Sequence, residues 1–199
     1  MNESDALDQI RLYLPKYLSP ERQQALWNEL KAFPADYRLY SERNEEAGLL
    51  QGDGWRGFIA IDFVSRGDRI VSGLVMSNSC DISAENRRAL TPNVVFAPLL
   101  SLGRYKALLE SSGETAEQIS STMTEIRKQK ITSLMYFPGV AGSDLAESLV
   151  LFDNLHAQPL DNFLGRERSR LFRLSDFGFY LFLFKLSIHF TRMQEGIER

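Results

Sequence analysis

The chain has 199 residues, enough for one domain, or for one domain with a small satellite. Apolar residues make up 44% and aromatics 11%, so a sizeable core can form, and charged residues stand at an ordinary 25%. A net charge of −3 and a pI near 5.5 exclude whole-molecule attraction to nucleic acid or to an anionic membrane.

The start, MNESDALDQIRLYL, has acids at Glu3 and Asp5 and no apolar signal core, so it does not read as a secretory leader. It reads as a helix instead, with Leu7, Ile10 and Leu14 forming an amphipathic stripe that ends near Pro15. SPERQQALWNELKAF predicts a second helix: Ser19 is the N-cap, Pro20 sits where its missing N–H costs nothing, and Pro34 stops it. Leu26, Leu30 and Phe33 give its apolar face. Residues 34–54 are polar and end in Gly52-Asp53-Gly54, which reads as a linker. The expected division is therefore a helical arm and linker over 1–54 and a main body over 55–199.

In the body, WRGFIAIDFV (55–64) alternates as a strand, SRGDR (65–69) turns, and IVSGLVMS (70–77) forms a second strand. NVVFAPLL (93–100) is apolar on both faces and reads as a buried third strand. SLGRYKALLESSG is helical. TAEQISSTMTEIRKQK opens with Thr115 and Gln118 spaced as a capping box and buries Ile119, Met123 and Ile126. Further strands are expected at 131–137, 148–155 and 169–175. A helix from Asp176 follows, apolar nearly all round and so expected to be the most buried one. Its apolar run, 177–190, contains Lys185 and His189 and falls short of the ~20 residues that span a bilayer. Having one cysteine, the chain cannot form an internal disulfide, and the reading is a cytoplasmic protein.

That cysteine, Cys80, stands in LVMSNSCDISAENRR, where a strand breaks into a polar cluster. A thiolate site would draw on Cys80 and Asp81 with a histidine as base, and His156 is the candidate because His189 lies inside the apolar helix. The alternative is a cysteine packed at a strand end, with Asp81 or Ser83 capping the next turn. Two histidines and one cysteine show no metal-ligand spacing, and no metal or cofactor is expected. Phosphate-loop, G-x-S-x-G and H-E-x-x-H motifs do not occur in the sequence. Basic clusters at Arg87-Arg88, at Arg127/Lys128/Lys130 and at Arg166/Arg168/Arg170/Arg173 offer phosphate contacts, or protection of an edge strand.

WRGFIAIDF, SGLVMSN and APLLSL, in that order, resemble the MazF/PemK family of toxins, small SH3-like barrels that cleave RNA; the likeness covers residues 55–101. It implies an SH3-like barrel. The family's phosphate-stabilising arginine would fall at Val71 and its active-site threonine at Leu100, and two apolar side chains cannot polarise a phosphate. A second resemblance, over 55–194, is to an uncharacterised bacterial family with an S-x-x-C-D motif. It rests on SNSCDI (77–82), YFP (136–138), LVLFDNL (149–155), RLFRLS (170–175) and HFTR (189–192). That resemblance draws attention to Cys80 and Asp81. The structural alternative is that both lock the strand exit, with Asp81 accepting backbone N–H bonds or pairing with Arg192.

The expectation is thus an α+β chain: a small MazF/PemK-type antiparallel β-barrel with an N-terminal helical arm and a long buried C-terminal helix. The function expected is a non-catalytic binding module for a protein partner or nucleic acid. It would use the rim formed by Ser77, Asn78, Ser79, Asp81, Arg87, Arg88 and Arg192, with Cys80 buried. An enzyme, either a divergent ribonuclease or a Cys80-dependent hydrolase, would instead need a concave pocket uniting Cys80, Asp81 and His156. Tyr13, Tyr17 and Trp27 suit the N-terminal helices to packing on the barrel, or to a protein partner or a second copy.

Overall fold

The computed structural model describes residues 18–34, 37–42, 48–62, 66–83, 85–86 and 89–191. The first expected helix, with Leu7, Ile10, Leu14, Tyr13 and Tyr17, lies outside these residues. The second is α1, Pro20–Ala32, with the Ser19 hydroxyl accepting from the Arg22 N–H. Leu26 and Trp27 are buried, and Phe33 packs on Tyr37 and Phe177, so this part of the arm lies against the body.

The body is α+β with two antiparallel sheets. The larger has five strands, β1 (Gly54–Asp62), β2 (Gly67–Val75), β3 (Asn93–Pro98), β7 (His156–Pro159) and β8 (Ser169–Phe172), in the order β7-β3-β2-β1-β8. The smaller is β4 (Leu100–Ser101), β6 (Ser148–Leu151) and β5 (Leu134–Phe137), in the order β4-β6-β5. The chain passes from one sheet to the other at Leu99, whose N–H donates to Ser72 O. The helices are α2 (Leu102–Ser111), α3 (Ala116–Arg127), α4 (Leu160–Leu164) and α5 (Asp176–Thr191).

The five-stranded sheet is curled but, among the described residues, is not a closed barrel. Its interior is a column of rings. Phe58 stacks on Phe96 at 4.2 Å and on Phe163 at 4.3 Å, and all three are fully buried. A bulge at Gly57 (φ 110°) inserts one residue into β1, so Trp55 and Phe58, three apart, both reach Phe163. Where the sheet curls over, the buried Gln158 side chain of β7 accepts the Ile59 N–H of β1 at 2.7 Å. One side chain amide thus bridges strands that do not pair.

Two expectations change. Residues 52–54, read as the end of a linker, form a buried corner in which Asp53 is 1% exposed. The helix α5 is buried on one side only: Phe177, Gly178, Leu181, Phe182 and Lys185 face the core, while Phe184 and Phe190 are 55% and 60% exposed. An all-apolar helix carries no signal of which side the body covers. β7 and α4 were not foreseen, because β7 is four residues long and owes its extended form to pairing with β3.

Truncating Phe58 to alanine removes the middle ring of the column and should cost about 3–5 kcal/mol. Urea unfolding measures this, and a loss under about 1 kcal/mol would mean that the column is not the centre of the core.

Candidate functional site

The polar cluster after β2 is a strand exit that its own side chains fix to itself and to neighbouring segments. Leaving the sheet, Met76 N–H still donates to Val95 O at 2.8 Å, and the Ser77 hydroxyl accepts the Val95 N–H at 2.8 Å. The Asn78 side chain accepts the Cys80 N–H at 2.9 Å, and its carbonyl accepts Asp81 N–H at 3.0 Å. Ser79 Oγ accepts the Gln51 N–H at 2.9 Å, while the Gln51 side chain donates to Met76 O. Ile82 then turns back into the core. Ser77, Asn78 and Ser79 therefore shape the turn, and Cys80 and Asp81 stand on it exposed, which corrects the expectation of a buried Cys80: the residue that turns back into the core is Ile82, two positions on.

The corner behind this turn is fixed by a buried ion pair. Arg173 donates from Nε and Nη2 to the two carboxylate oxygens of Asp53, at 3.1 and 3.0 Å, with the side chains 10% and 2% exposed. Both main-chain groups of the corner are spent on β2: Gly52 N–H donates to Val75 O, and Val75 N–H donates to Asp53 O.

Of the other predicted residues, His156 is engaged elsewhere. His156 sits on β7 with its ring stacked on Phe96 at 5.6 Å and Nε2 3.2 Å from Asn154 Oδ1. Arg87, Arg88 and Arg192 lie outside the described residues. Val71 faces Phe58 in the β1–β2 register and packs on the ring column, and Leu100 pairs with Leu149. Among the described residues, no three of His, Cys, Asp and Glu come close enough together to hold a metal ion.

A pocket among the described residues lies elsewhere. Helices α2 and α3 run side by side and leave a groove of about 640 Å³ over Leu102, Ile119 and Met123. At one end Arg127 holds Glu147 in a fork at 2.9 and 3.1 Å, and the Tyr136 hydroxyl donates to the same carboxylate. Arg127, then the Tyr136 hydroxyl, hold the Glu147 carboxyl below its usual range; burial, then the hydrogen bond to Glu147, push Tyr136 above its own. Sequence reading took Arg127 for part of a surface basic cluster, since Glu147 is 20 residues away and gives no local signal.

Behind the groove, Lys185 of α5 reaches the chain leaving α3. Its ammonium donates to Gln129 O at 2.6 Å and Ile131 O at 2.8 Å, and burial lowers its pKa to about 8. No helix among the described residues is long and apolar enough to cross a membrane. Comparison with protein-family models and with curated proteins finds no match to this chain.

The Lys185 shift sets a pH dependence. Its charged form is disfavoured on folding, so between about 8 and the ordinary 10.5 the unfolded chain holds the extra proton and stability rises with pH. The full interval is worth about 3 kcal/mol. Buried Tyr136 and half-buried Tyr37, Tyr40 and Tyr180, all shifted up, oppose this only above their ordinary value of 10. Urea midpoints should therefore climb from pH 8 to 10 in the wild type and stay flat in Lys185→Met; equal slopes would contradict the assignment.

Proposed function

We propose that this chain is a non-catalytic binding module whose recognition surface is the turn after β2, around residues 77–88. One observation carries the reading: Cys80 and Asp81 are exposed on a turn that is already fixed, Asn78 taking the Cys80 and Asp81 N–H groups while Ser77 and Ser79 tie the turn to Val95 and Gln51. A surface prepared in this way loses little freedom when a partner docks. A protein partner or a nucleic acid would meet this turn, with Asp81 as its acidic member; Arg87, Arg88 and Arg192, the basic members expected from the sequence, lie outside the described residues.

The finer fold reading belongs here too. The curled five-stranded sheet supports an SH3-like, MazF/PemK-type body opened along the line that Gln158 bridges. Apolar side chains at Val71 and Leu100 speak against that family's RNA cleavage, since neither can stabilise phosphate charge. The enzyme alternative, a divergent ribonuclease or a Cys80-dependent hydrolase, rests on the exposed thiol; a nucleophile there needs a base, and the His156 ring is engaged by Phe96 and Asn154.

Cys80 offers a clean test because the chain has no other thiol. A photocrosslinker attached at Cys80 should capture a partner from extract, and Asp81→Lys should abolish the capture while Cys80→Ser, probed by competition, still blocks it. Cleavage of RNA or of an activated ester that vanishes in Cys80→Ser would overturn the binding reading in favour of the enzyme.

A further inference from the structure

The groove between α2 and α3 plays no part in the surface just proposed, and its charges are unevenly met. At the β6 end, the Glu147 carboxylate is neutralised by Arg127 and hydrogen-bonded by Tyr136. Midway, Lys106 is 3.6 Å from Glu110 on the same helix. Glu114, at the turn between the helices, lines the groove with no side-chain partner among the described residues. The groove walls therefore carry one uncompensated negative charge, at the end far from Arg127. Between the two ends runs an apolar floor of Leu102, Ile119 and Met123, each at most 6% exposed. Its rim is kept low by Gly103, where an added Cβ would meet nothing within 4 Å, and by Ser120. A volume of about 640 Å³ suits a small organic molecule.

The geometry points to a second binding site here, for an aliphatic amine: an ammonium group beside Glu114 and a hydrocarbon body along Met123 and Ile119 towards Leu102. A carboxylate of the same length would place its charge against Glu114, and at the other end it would compete with Glu147 for Arg127. A neutral alcohol would fill the floor and leave Glu114 as it is. The order of affinity is therefore amine, then alcohol, then carboxylate. Because the charged contact is solvent-exposed, it contributes selectivity more than strength.

The test uses octylamine, octanol and octanoate as probes, with the intact chain labelled at its methionine methyl groups and observed by NMR. Octylamine should shift the Met123 methyl saturably, with a dissociation constant on the order of 1 mM. Glu114→Gln should weaken octylamine about threefold and leave octanol unchanged. Ser120→Phe, at an exposed helical position, should fill the groove and weaken both amine and alcohol more than tenfold. A Met123 methyl unmoved by octylamine, or octanoate or octanol binding as tightly as the amine, would overturn the proposal. So would a Glu114→Gln protein that binds all three as the wild type does.

Discussion

Asp53 and Arg173 hold the molecule together at a point that looks dispensable in the sequence. Two charges taken out of water need each other: with one partner removed, the remaining buried charge costs about 3–5 kcal/mol. The pair joins the corner before β1 to the chain between β8 and α5, 120 positions apart. From that corner, main-chain bonds run to the end of β2, and Gln51 bonds to Ser79 and Met76. On the other side, Ser175 N–H donates to Leu39 O, and the backbone at Leu39 comes so close to Gly178 that a Cβ there would lie 2.2 Å from the carbonyl oxygen. The exposed turn thus inherits its shape from a buried contact that it does not touch.

Division of labour follows. The ring column of Phe96, Phe58 and Phe163 and the α5 core supply cohesion without direction, as apolar burial does. Direction comes from polar groups in dry places: the Asp53–Arg173 fork, the Gln158 amide across β1 and β7, and the Lys185 ammonium on two carbonyls. The fork and the ammonium accept a desolvation cost that is tolerable because their hydrogen bonds are made, whereas Gln158 bonds through Oε1 and leaves its buried Nε2 without a partner. The exposed polar turn after β2 and the α2–α3 groove sit outside these fixed points, on frames that the fixed points hold.

What was legible in the sequence was local. The Thr115–Gln118 capping box forms as spaced, and Ile119, Met123 and Ile126 are buried as their period requires, because both signals depend only on helical geometry. The strand exit at Ser77 was legible from another local signal, an apolar run that breaks into polar residues. What the sequence hid was long-range. Gly52-Asp53-Gly54 has the composition of a turn, and only Arg173 makes it a core. The Gly57 bulge shifted which side chains share a face with Phe58, and β7 exists through its pairing with β3. At the turn itself, the residue types were evident, but the split between side chains that hold the backbone and those presented to solvent depends on distances that no spacing encodes.

Native-state hydrogen exchange tests that dependence directly. In the wild type, the amides of Cys80, Asp81 and Ile82, held by Asn78, should be slowed relative to the unfolded chain, as should those of α3. In Arg173→Met, with Asp53 left unpaired, the account predicts that protection at 80–82 is lost while α3 exchanges as before. Equal protection of the turn in both proteins would show that it is shaped locally, and that the buried pair is not what holds the candidate surface in place.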